Sequence, residues 1–302
     1  MARTKKTAEA TTAGETSNVA KMDINAEIQG QVTEYQVTMW FVQPLLGSAP
    51  GDPDIYKKFI ASKAPDAPTR EEELMTNTVE NVAAKGTNVF LRRTVTGAPT
   101  LGQHTVKGFY KERITATKRQ KDGIEITNHK TKIVGNIVIK PTFIDLQFPE
   151  ELIKDTTEDA FRKEGFGHAQ VVRFPAEPGS RFRKVMLPTC DRPLQAETAQ
   201  GKITSIASSE MAPAGTKIEY TLKIDVLKKD PIDADIIKTI LTGIDHGTGQ
   251  WRGSGEYGAF VAEIKDKDGK MVFENTSTVI GCTSDDPNFD DALFEYIDST
   301  VL

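Results

Sequence analysis

A glycine-rich loop near the C-terminus is the feature that most constrains the fold of this chain. It runs from residue 247 to 258 and contains five glycines, Gly247, Gly249, Gly253, Gly255 and Gly258. Residues 231–243 before it begin with proline, carry apolar residues at helical spacing and end with glycine, which predicts a helix. Residues 257–264 after it are typical of a strand. Rossmann and P-loop nucleotide sites need the reverse order, strand, loop and helix, so the loop argues against both.

The rest of the chain predicts a sheet-rich α+β protein. Dense β-branched and aromatic residues over 32–42 predict a strand with one well-buried face. Helices are predicted over 55–62 and, from a Thr-x-x-Glu capping box, over 69–85. A hairpin turn is predicted at 265–269. Further strands and hairpins are predicted over 88–96, 104–117, 132–146, 181–192, 201–209, 217–227 and 271–280.

These elements suggest one α+β domain over residues 28–281. It would be ferredoxin-like or otherwise sheet-rich, with β-hairpin insertions over about residues 100–192. Residues 1–27 lack apolar periodicity and predict a flexible arm, and residues 282–302 form an acidic tail.

The sequence argues against a zinc site, a disulfide framework, a membrane span and a signal peptide, because it lacks the residue patterns that these need. The two cysteines, Cys190 and Cys282, are far apart and belong to no Cys/His cluster, so we expect reduced thiols and neither a zinc site nor a disulfide framework. No apolar run approaches the ~18 residues of a membrane span, and the N-terminus does not resemble a signal peptide. We therefore predict a cytoplasmic protein with no membrane partner, no metal and no cofactor.

Charge is segregated along the chain, although the net charge is -5. The negative charge of the acidic tail offsets the positive charge of a basic stretch over residues 107–132. The strand pattern predicts that this basic stretch is a hairpin. Cations interleaved with rings can track a phosphate backbone and stack on bases, whereas the plain alternative is a solvated β-ribbon. The predicted contact residues are Lys107, Phe109, Tyr110, Lys111, Arg113, Lys118 and Arg119. Arg181, Arg183, Lys184 and Arg192 are candidates for the same surface.

The glycine-rich loop offers a second set of nucleic-acid contacts. Glycines expose backbone N–H groups to phosphate, Arg252 can pair with phosphate and Trp251 can stack on a base. The alternative is a connection whose glycines only satisfy unusual backbone angles, with Trp251 in the core. The predicted site residues here are Gly247, Gly249, Gln250, Trp251, Arg252, Gly253 and Gly255.

The loop resembles the G-x-G-x-x-R-x-x-G-x-G signature of the RAMP proteins of CRISPR systems. Gly247, Gly249, Arg252 and Gly255 match it, while Tyr257 takes the last glycine position and Gly258 follows one residue later. The resemblance implies a ferredoxin-like, RRM-like fold of order β-α-β-β-α-β that binds RNA. Residues 44–63 and 192–201, together with the loop, also resemble an uncharacterised family of prophage-encoded proteins, which implies a phage origin.

The sequence contains no motif that identifies a catalytic site. Some RAMP proteins cut RNA with a histidine, but His104, His129, His168 and His246 lie in no pattern that identifies a general base. The prediction is therefore a phage-encoded, non-catalytic binder of single-stranded DNA or RNA, and the sequence leaves open whether it oligomerises along its ligand. The alternatives are a RAMP-like endoribonuclease and a virion or assembly protein.

The acidic tail leaves three roles open. Its carboxylates are mixed with Leu293, Phe294, Tyr296 and Ile297. It can dock a protein partner, occupy the basic surface until nucleic acid displaces it, or form a plain helix that packs on the body.

Overall fold

The computed structural model describes residues 32–50, 87–93, 96–117, 137–157, 159–161, 170–175, 184–198, 201–225, 239–240, 242–252 and 257–300. The predicted arm over 1–27 and the predicted helices over 55–62 and 69–85 lie outside the described residues, as does most of the predicted helix over 231–243. No helix in the described part of the chain is long and apolar enough to cross a membrane.

The described chain is sheet-rich α+β, with several small and mostly antiparallel sheets and few helices. The strands are β1 Val32–Phe41, β2 Leu45–Leu46, β3 Ala49–Pro50, β4 Asn88–Val89, β5 Leu91–Arg92, β6 Pro99–Gly102, β7 Ile137–Lys140, β8 Phe143–Asp145, β9 Ile153–Asp155, β10 Val171–Arg173, β11 Val185–Met186, β12 Thr189–Thr198, β13 Gly201–Ala212, β14 Lys217–Asp225, β15 Phe260–Asp266 and β16 Met271–Glu274. The helices are α1 Gln103–Thr117, α2 Gly243–His246, α3 Thr276–Val279 and α4 Phe289–Thr300, with a 3-10 turn at Glu150–Leu152.

The main sheet has five strands in the order β16-β15-β1-β14-β7, and every neighbouring pair is antiparallel. Strand β1 lies at its centre, and its side chains alternate between two separate cores. Tyr35, Val37, Met39 and Phe41 belong to the larger core, whereas Trp40 faces a smaller core on the other side. Gln36 on the second face is exposed, so only the first face is buried along most of the strand, as the pattern over 32–42 predicted.

Residues 103–117 form helix α1, so the strand predicted over 104–117 is wrong, and so is the part of the predicted basic hairpin over 107–117. The rest of that hairpin, residues 118–132, lies outside the described residues. Val106, Phe109, Tyr110 and Ile114 recur at a spacing of three to four residues, and all are buried in the larger core. That spacing is the helical period. The β-branched and aromatic composition suggested strands, but the periodicity decided the element.

The acidic tail is largely helix α4, which packs on the second face of the main sheet. Phe289, Leu293 and Ile297, spaced by four residues, are buried against the face that contains Trp40. The Trp40 and Phe289 rings meet edge-on with centroids 4.9 Å apart. The carboxylates of the helix point away from this contact and are exposed, at Asp290, Asp291, Glu295 and Asp298. Of the three roles that the sequence left open for the tail, the structure shows the helix that packs on the body.

A second sheet, of order β12-β13-β4-β3, is built on a long hairpin formed by β12 and β13. Glu210 on β13 anchors it to the body, because its carboxylate accepts from the Phe90 backbone N–H at 2.8 Å and pairs with Arg92 at 2.5 Å. This contact ties the end of β13 to the segment of the chain that contains β4 and β5.

Other sequence predictions differ from the structure in their details. The strand predicted over 271–280 is the four-residue β16 followed by helix α3. The hairpin turn at 265–269 is present between β15 and β16, with Gly269 at a φ of 80°. Gly243 is the first residue of helix α2, and Thr242 occupies the N-cap position.

Candidate nucleic-acid interface

Three glycines of the loop are required by the backbone that they form. Gly247, Gly249 and Gly258 all have positive φ, at 57°, 88° and 68°. The Thr248 N–H donates to the Gly258 carbonyl at 2.8 Å, and a Cβ at Gly258 would collide with the Thr248 backbone. A Cβ at Gly247 would lie 2.5 Å from the Tyr257 carbonyl oxygen. These contacts explain the three glycines without a ligand. Gly253 and Gly255 lie outside the described residues.

Trp251 follows these glycines with a φ of 62°, and it is the one non-glycine residue with positive φ among those that the structure describes. Its half-buried ring lies against the Arg192 guanidinium, whose central carbon is 4.7 Å from the ring centroid. The same carbon is 4.8 Å from the centroid of the Tyr257 ring. We name this group the arginine cluster: Arg192, Trp251 and Tyr257. It is neither a pure core contact nor a free surface, because all three side chains are only partly exposed.

Polar contacts hold the neighbouring residues of the loop in place. The Ser209 hydroxyl on β13 donates to Gln250 Oε1 at 3.2 Å. The Arg252 guanidinium donates to the Gly249 carbonyl at 2.7 Å and to Glu112 Oε2 at 2.5 Å. The loop is therefore attached to the β12–β13 hairpin on one side and to helix α1 on the other. The Arg252 charge is already matched by a carboxylate, and its side chain is 37% exposed.

Helix α1 contacts the loop through Glu112 and carries the predicted cations of residues 107–113. Lys107 and Lys111 are partly exposed. The Arg113 side chain donates to Thr242 Oγ1 at 3.2 Å, and burial lowers its pKa while Glu112 and Asp245 raise it. Arginine stays charged despite this, since its ordinary pKa is above 12. Lys118 and Arg119 lie outside the described residues.

Phe109 and Tyr110 do not belong to an interface, which corrects the prediction that they stack on bases. They are 1% and 0% exposed. The Tyr110 hydroxyl lies 2.8 Å from the Tyr220 hydroxyl across the core, and burial raises the pKa of both phenols. Their place on the inner face of α1 follows from the helical period described above.

The structure places the loop against helix α1 through the Arg252–Glu112 pair, and against Arg192 through Trp251 and Tyr257. Lys184 instead lies 5.7 Å from the Phe174 ring in the β9–β11 region. Arg181 and Arg183 lie outside the described residues. Sequence reasoning missed Tyr257 as a partner of Arg192, although the presence of a ring at a signature glycine position was the available signal. Among the described residues, no group of three or more His, Cys, Asp or Glu is placed to hold a metal ion.

Comparisons with known proteins do not assign a family to this chain. No family model matches the chain, and no curated protein matches it. The chain is similar to one in a solved structure described as "Cryo-EM structure of the Type III-B Cmr-beta bound to cognate target RNA", with a TM-score of 0.37 and 10% sequence identity. The match covers 83% of this chain and 62% of that chain, so this chain spans less than two thirds of the other's length.

Proposed function

We propose that this protein binds single-stranded nucleic acid without catalysing a reaction, through the arginine cluster and the neighbouring cations of helix α1. The observation that carries the proposal is the contact of two partly exposed rings with one guanidinium, at 4.7 and 4.8 Å. Rings of this kind stack on bases, and arginine adds cation–π and phosphate contacts. Both DNA and RNA present the ring faces and phosphates that such a group recognises.

An unpaired strand is the form of nucleic acid that fits best. The bases of a duplex are stacked on each other and present only their edges in the grooves. Trp251 and Tyr257 can stack only on bases that are exposed, so the cluster favours single strands with little dependence on sequence. The cations of helix α1 would supply a contribution that weakens as salt rises.

The strand order supports a ferredoxin-like core for this proposal. Strands β1, β7, β14 and β15 come in that order along the chain, with strands of the other sheets between them, and take the sheet order β15-β1-β14-β7. Helix α1 lies between the first and second of them in sequence, and α2 between the third and fourth. This arrangement supports the β-α-β-β-α-β core that the RAMP resemblance implies.

The ligand surface in this proposal is the loop edge and not the open face of the sheet. Trp40 on that face is 7% exposed beneath Phe289 of helix α4. Charged pairs occupy more of the face, including Lys223 with Glu34 at 2.5 Å and Lys265 with Asp285 at 3.2 Å. Phage origin and a bacterial cytoplasm are kept in the proposal on the strength of the sequence resemblance alone.

The test is a salt-titrated binding assay with labelled single-stranded DNA, single-stranded RNA and duplex DNA. The chain has two tryptophans, so Trp40→Phe leaves Trp251 as the only indole reporter. We expect single strands to quench Trp251 emission and to bind more tightly than duplex, with affinity falling as salt rises. Arg192→Ala should weaken binding by about tenfold, which corresponds to about 1.4 kcal/mol.

Lys184→Ala is the matched control, because it removes another cation near a ring, Phe174, in the β9–β11 region. It should leave affinity unchanged. Absence of single-strand binding at low salt would overturn the proposal, and an equal effect of both alanine substitutions would remove the arginine cluster from it.

A further inference from the structure

A cavity of about 360 Å³ lies between helix α4, the 3-10 turn at Glu150–Leu152 and the end of the main sheet, and its lining contains no residue of the arginine cluster. Three aromatic side chains line it: Trp40, Phe148 and Phe294. Three carboxylates also line it: Glu150, Glu151 and Asp290. Its volume is near the lower end of the range of roughly 300–1,000 Å³ for small-ligand pockets.

The cavity walls are held by specific packing. Gly215 has a φ of 87°, and a Cβ there would lie 3.1 Å from the Phe294 ring and 3.3 Å from Pro149 Cγ. Its N–H donates to the Phe41 carbonyl at 2.7 Å. Trp40 is held by its edge-on contact with Phe289. The walls are therefore formed by the fold, and the cavity does not depend on the position of one exposed side chain.

The charges around the cavity leave an excess of carboxylates. Lys217 also lines it, but its Nζ lies 3.3 Å from Glu219. Glu150 is engaged by the Arg173 guanidinium at 3.1 and 3.2 Å. Each of these two cations is thus matched by a carboxylate. Glu151 and Asp290 form no ion pair with any residue that the structure describes, and both are exposed.

We propose that this cavity binds a single arginine or lysine side chain presented by a basic segment of a partner protein. Aromatic faces attract cations, with the strongest attraction from tryptophan. Carboxylates form charge-assisted hydrogen bonds to guanidinium and ammonium groups. The aliphatic stem of either side chain suits the ring-lined part of the cavity. This combination of rings and unmatched carboxylates is complementary to a cation with an apolar stem, and it is opposite in sign to the surface proposed for nucleic acid.

The test uses the full chain carrying Trp251→Phe, which leaves Trp40 in the cavity as the only tryptophan. The probe is a Gly/Ser peptide with one central arginine, and its control is the same peptide with neutral citrulline at that position. We expect a saturable change in Trp40 emission with a Kd on the order of millimolar for the arginine peptide, and no saturable change for citrulline. Glu151→Gln combined with Asp290→Asn should weaken binding by about tenfold. Glu295→Gln, on the same helix but outside the cavity lining, should have no effect.

Saturation-transfer NMR of the unsubstituted protein repeats the peptide comparison without any change to the fold. An equal response to arginine and citrulline would overturn the proposal, as would full binding by the double variant. The assay contains no nucleic acid, so its outcome is independent of the function proposed above.

Discussion

Trp251 has a backbone conformation that ordinary side chains rarely adopt. Its φ of 62° costs of order 1–3 kcal/mol for a residue with a Cβ. Glycine would be the relaxed choice in a loop that already uses glycine at 247, 249 and 258. A ring at this position brings an aromatic face against Arg192, which fits a role in binding better than a role in stability.

Two substitutions at Trp251 separate strain from function. Trp251→Gly relaxes the backbone, whereas Trp251→Ala keeps the strain, and both remove the ring. We expect the glycine variant to have a free energy of unfolding about 1 kcal/mol above that of the alanine variant, measured by urea denaturation. Both should lose affinity for single-stranded nucleic acid to a similar extent. An alanine variant as stable as the glycine variant would contradict the strain assignment.

Arg252 is held by Glu112 in the free protein, so this ion pair competes with a phosphate for the same guanidinium. Removing the carboxylate should release the arginine. We expect Glu112→Gln to bind single strands severalfold more tightly at low salt, with a steeper salt dependence. The gain should vanish in Glu112→Gln combined with Arg252→Ala. A gain that persists without Arg252 would show that the change comes from net charge alone.

Among the elements, helix α1 shows where local sequence is ambiguous. Its β-branched and aromatic residues favour a strand by composition, while the positions of Val106, Phe109, Tyr110 and Ile114 favour a helix by period. Burial of all four against the sheet resolves the conflict, because only a helix brings residues at that spacing onto one face. The prediction of a basic hairpin failed here for that reason, and the rings that it offered to bases lie in the core.

Glu263 joins three elements through a buried carboxylate that is 2% exposed. On β15, it accepts from the Thr276 hydroxyl at 3.0 Å, the Ser284 N–H at 2.6 Å and the Ser284 hydroxyl at 2.5 Å. Glu263→Ala removes the acceptor of the buried Thr276 hydroxyl and of the two partly buried Ser284 donors, so we expect a loss of about 2–3 kcal/mol in the free energy of unfolding. Glu295→Ala, on the exposed side of α4, should change stability by less than about 0.5 kcal/mol. A near-neutral Glu263→Ala would mean that water replaces these bonds.

Glu274 caps the short helix α3 and gives a pH-dependent contribution to stability. Burial tends to raise its pKa, but hydrogen bonds from Ser277 and Thr276 outweigh that and hold the pKa below its ordinary value. A carboxyl whose pKa is lowered by folding stabilises the protein above its ordinary pKa, and this contribution is lost as pH falls through the folded value. We therefore expect Glu274→Gln to be less stable than the parent at neutral pH and to approach it as pH falls below about 4. Parallel stability curves across that range would contradict the assignment.

At the scale of the whole molecule, helix α4 completes the second face of the main sheet. Without it, the apolar residues Trp40, Val42, Ala259 and Val261 would be exposed to water. We expect a chain ending at residue 288 to lose several kcal/mol of stability, since each large apolar side chain buried by α4 contributes about 1.5–3 kcal/mol. Trp40 emission in the Trp251→Phe background should shift to longer wavelength. Asp291→Asn with Glu295→Gln removes charge from α4 but keeps its apolar face, and should leave both readouts unchanged.

The same truncation also tests the earlier idea of a displaceable acidic tail. A tail that only masks a basic surface would leave the truncated chain stable and raise its affinity for nucleic acid. If the tail forms part of the core, its removal exposes one face of the sheet. The truncated chain would then lose stability and would not gain affinity for nucleic acid. The burial of Phe289, Leu293 and Ile297 leads us to expect the second result.

Local sequence by itself determined the sheet-rich α+β character, the central strand over 32–41 and the position of the glycine-rich loop before a strand. These features follow from alternation, glycine content and turn residues that act between neighbours in the chain. Only the tertiary structure decided that Arg192 meets Trp251 and Tyr257, that Phe109 and Tyr110 are buried, and that the acidic segment is a structural helix. The reason is that each of these outcomes depends on contacts between segments far apart in sequence, which are selected by the packing of the whole core and not by the preferences of any one segment. The glycine-rich loop shows both kinds of information. Its glycines indicate an unusual backbone from the sequence alone, whereas the tertiary structure decides which strand and which helix the loop contacts.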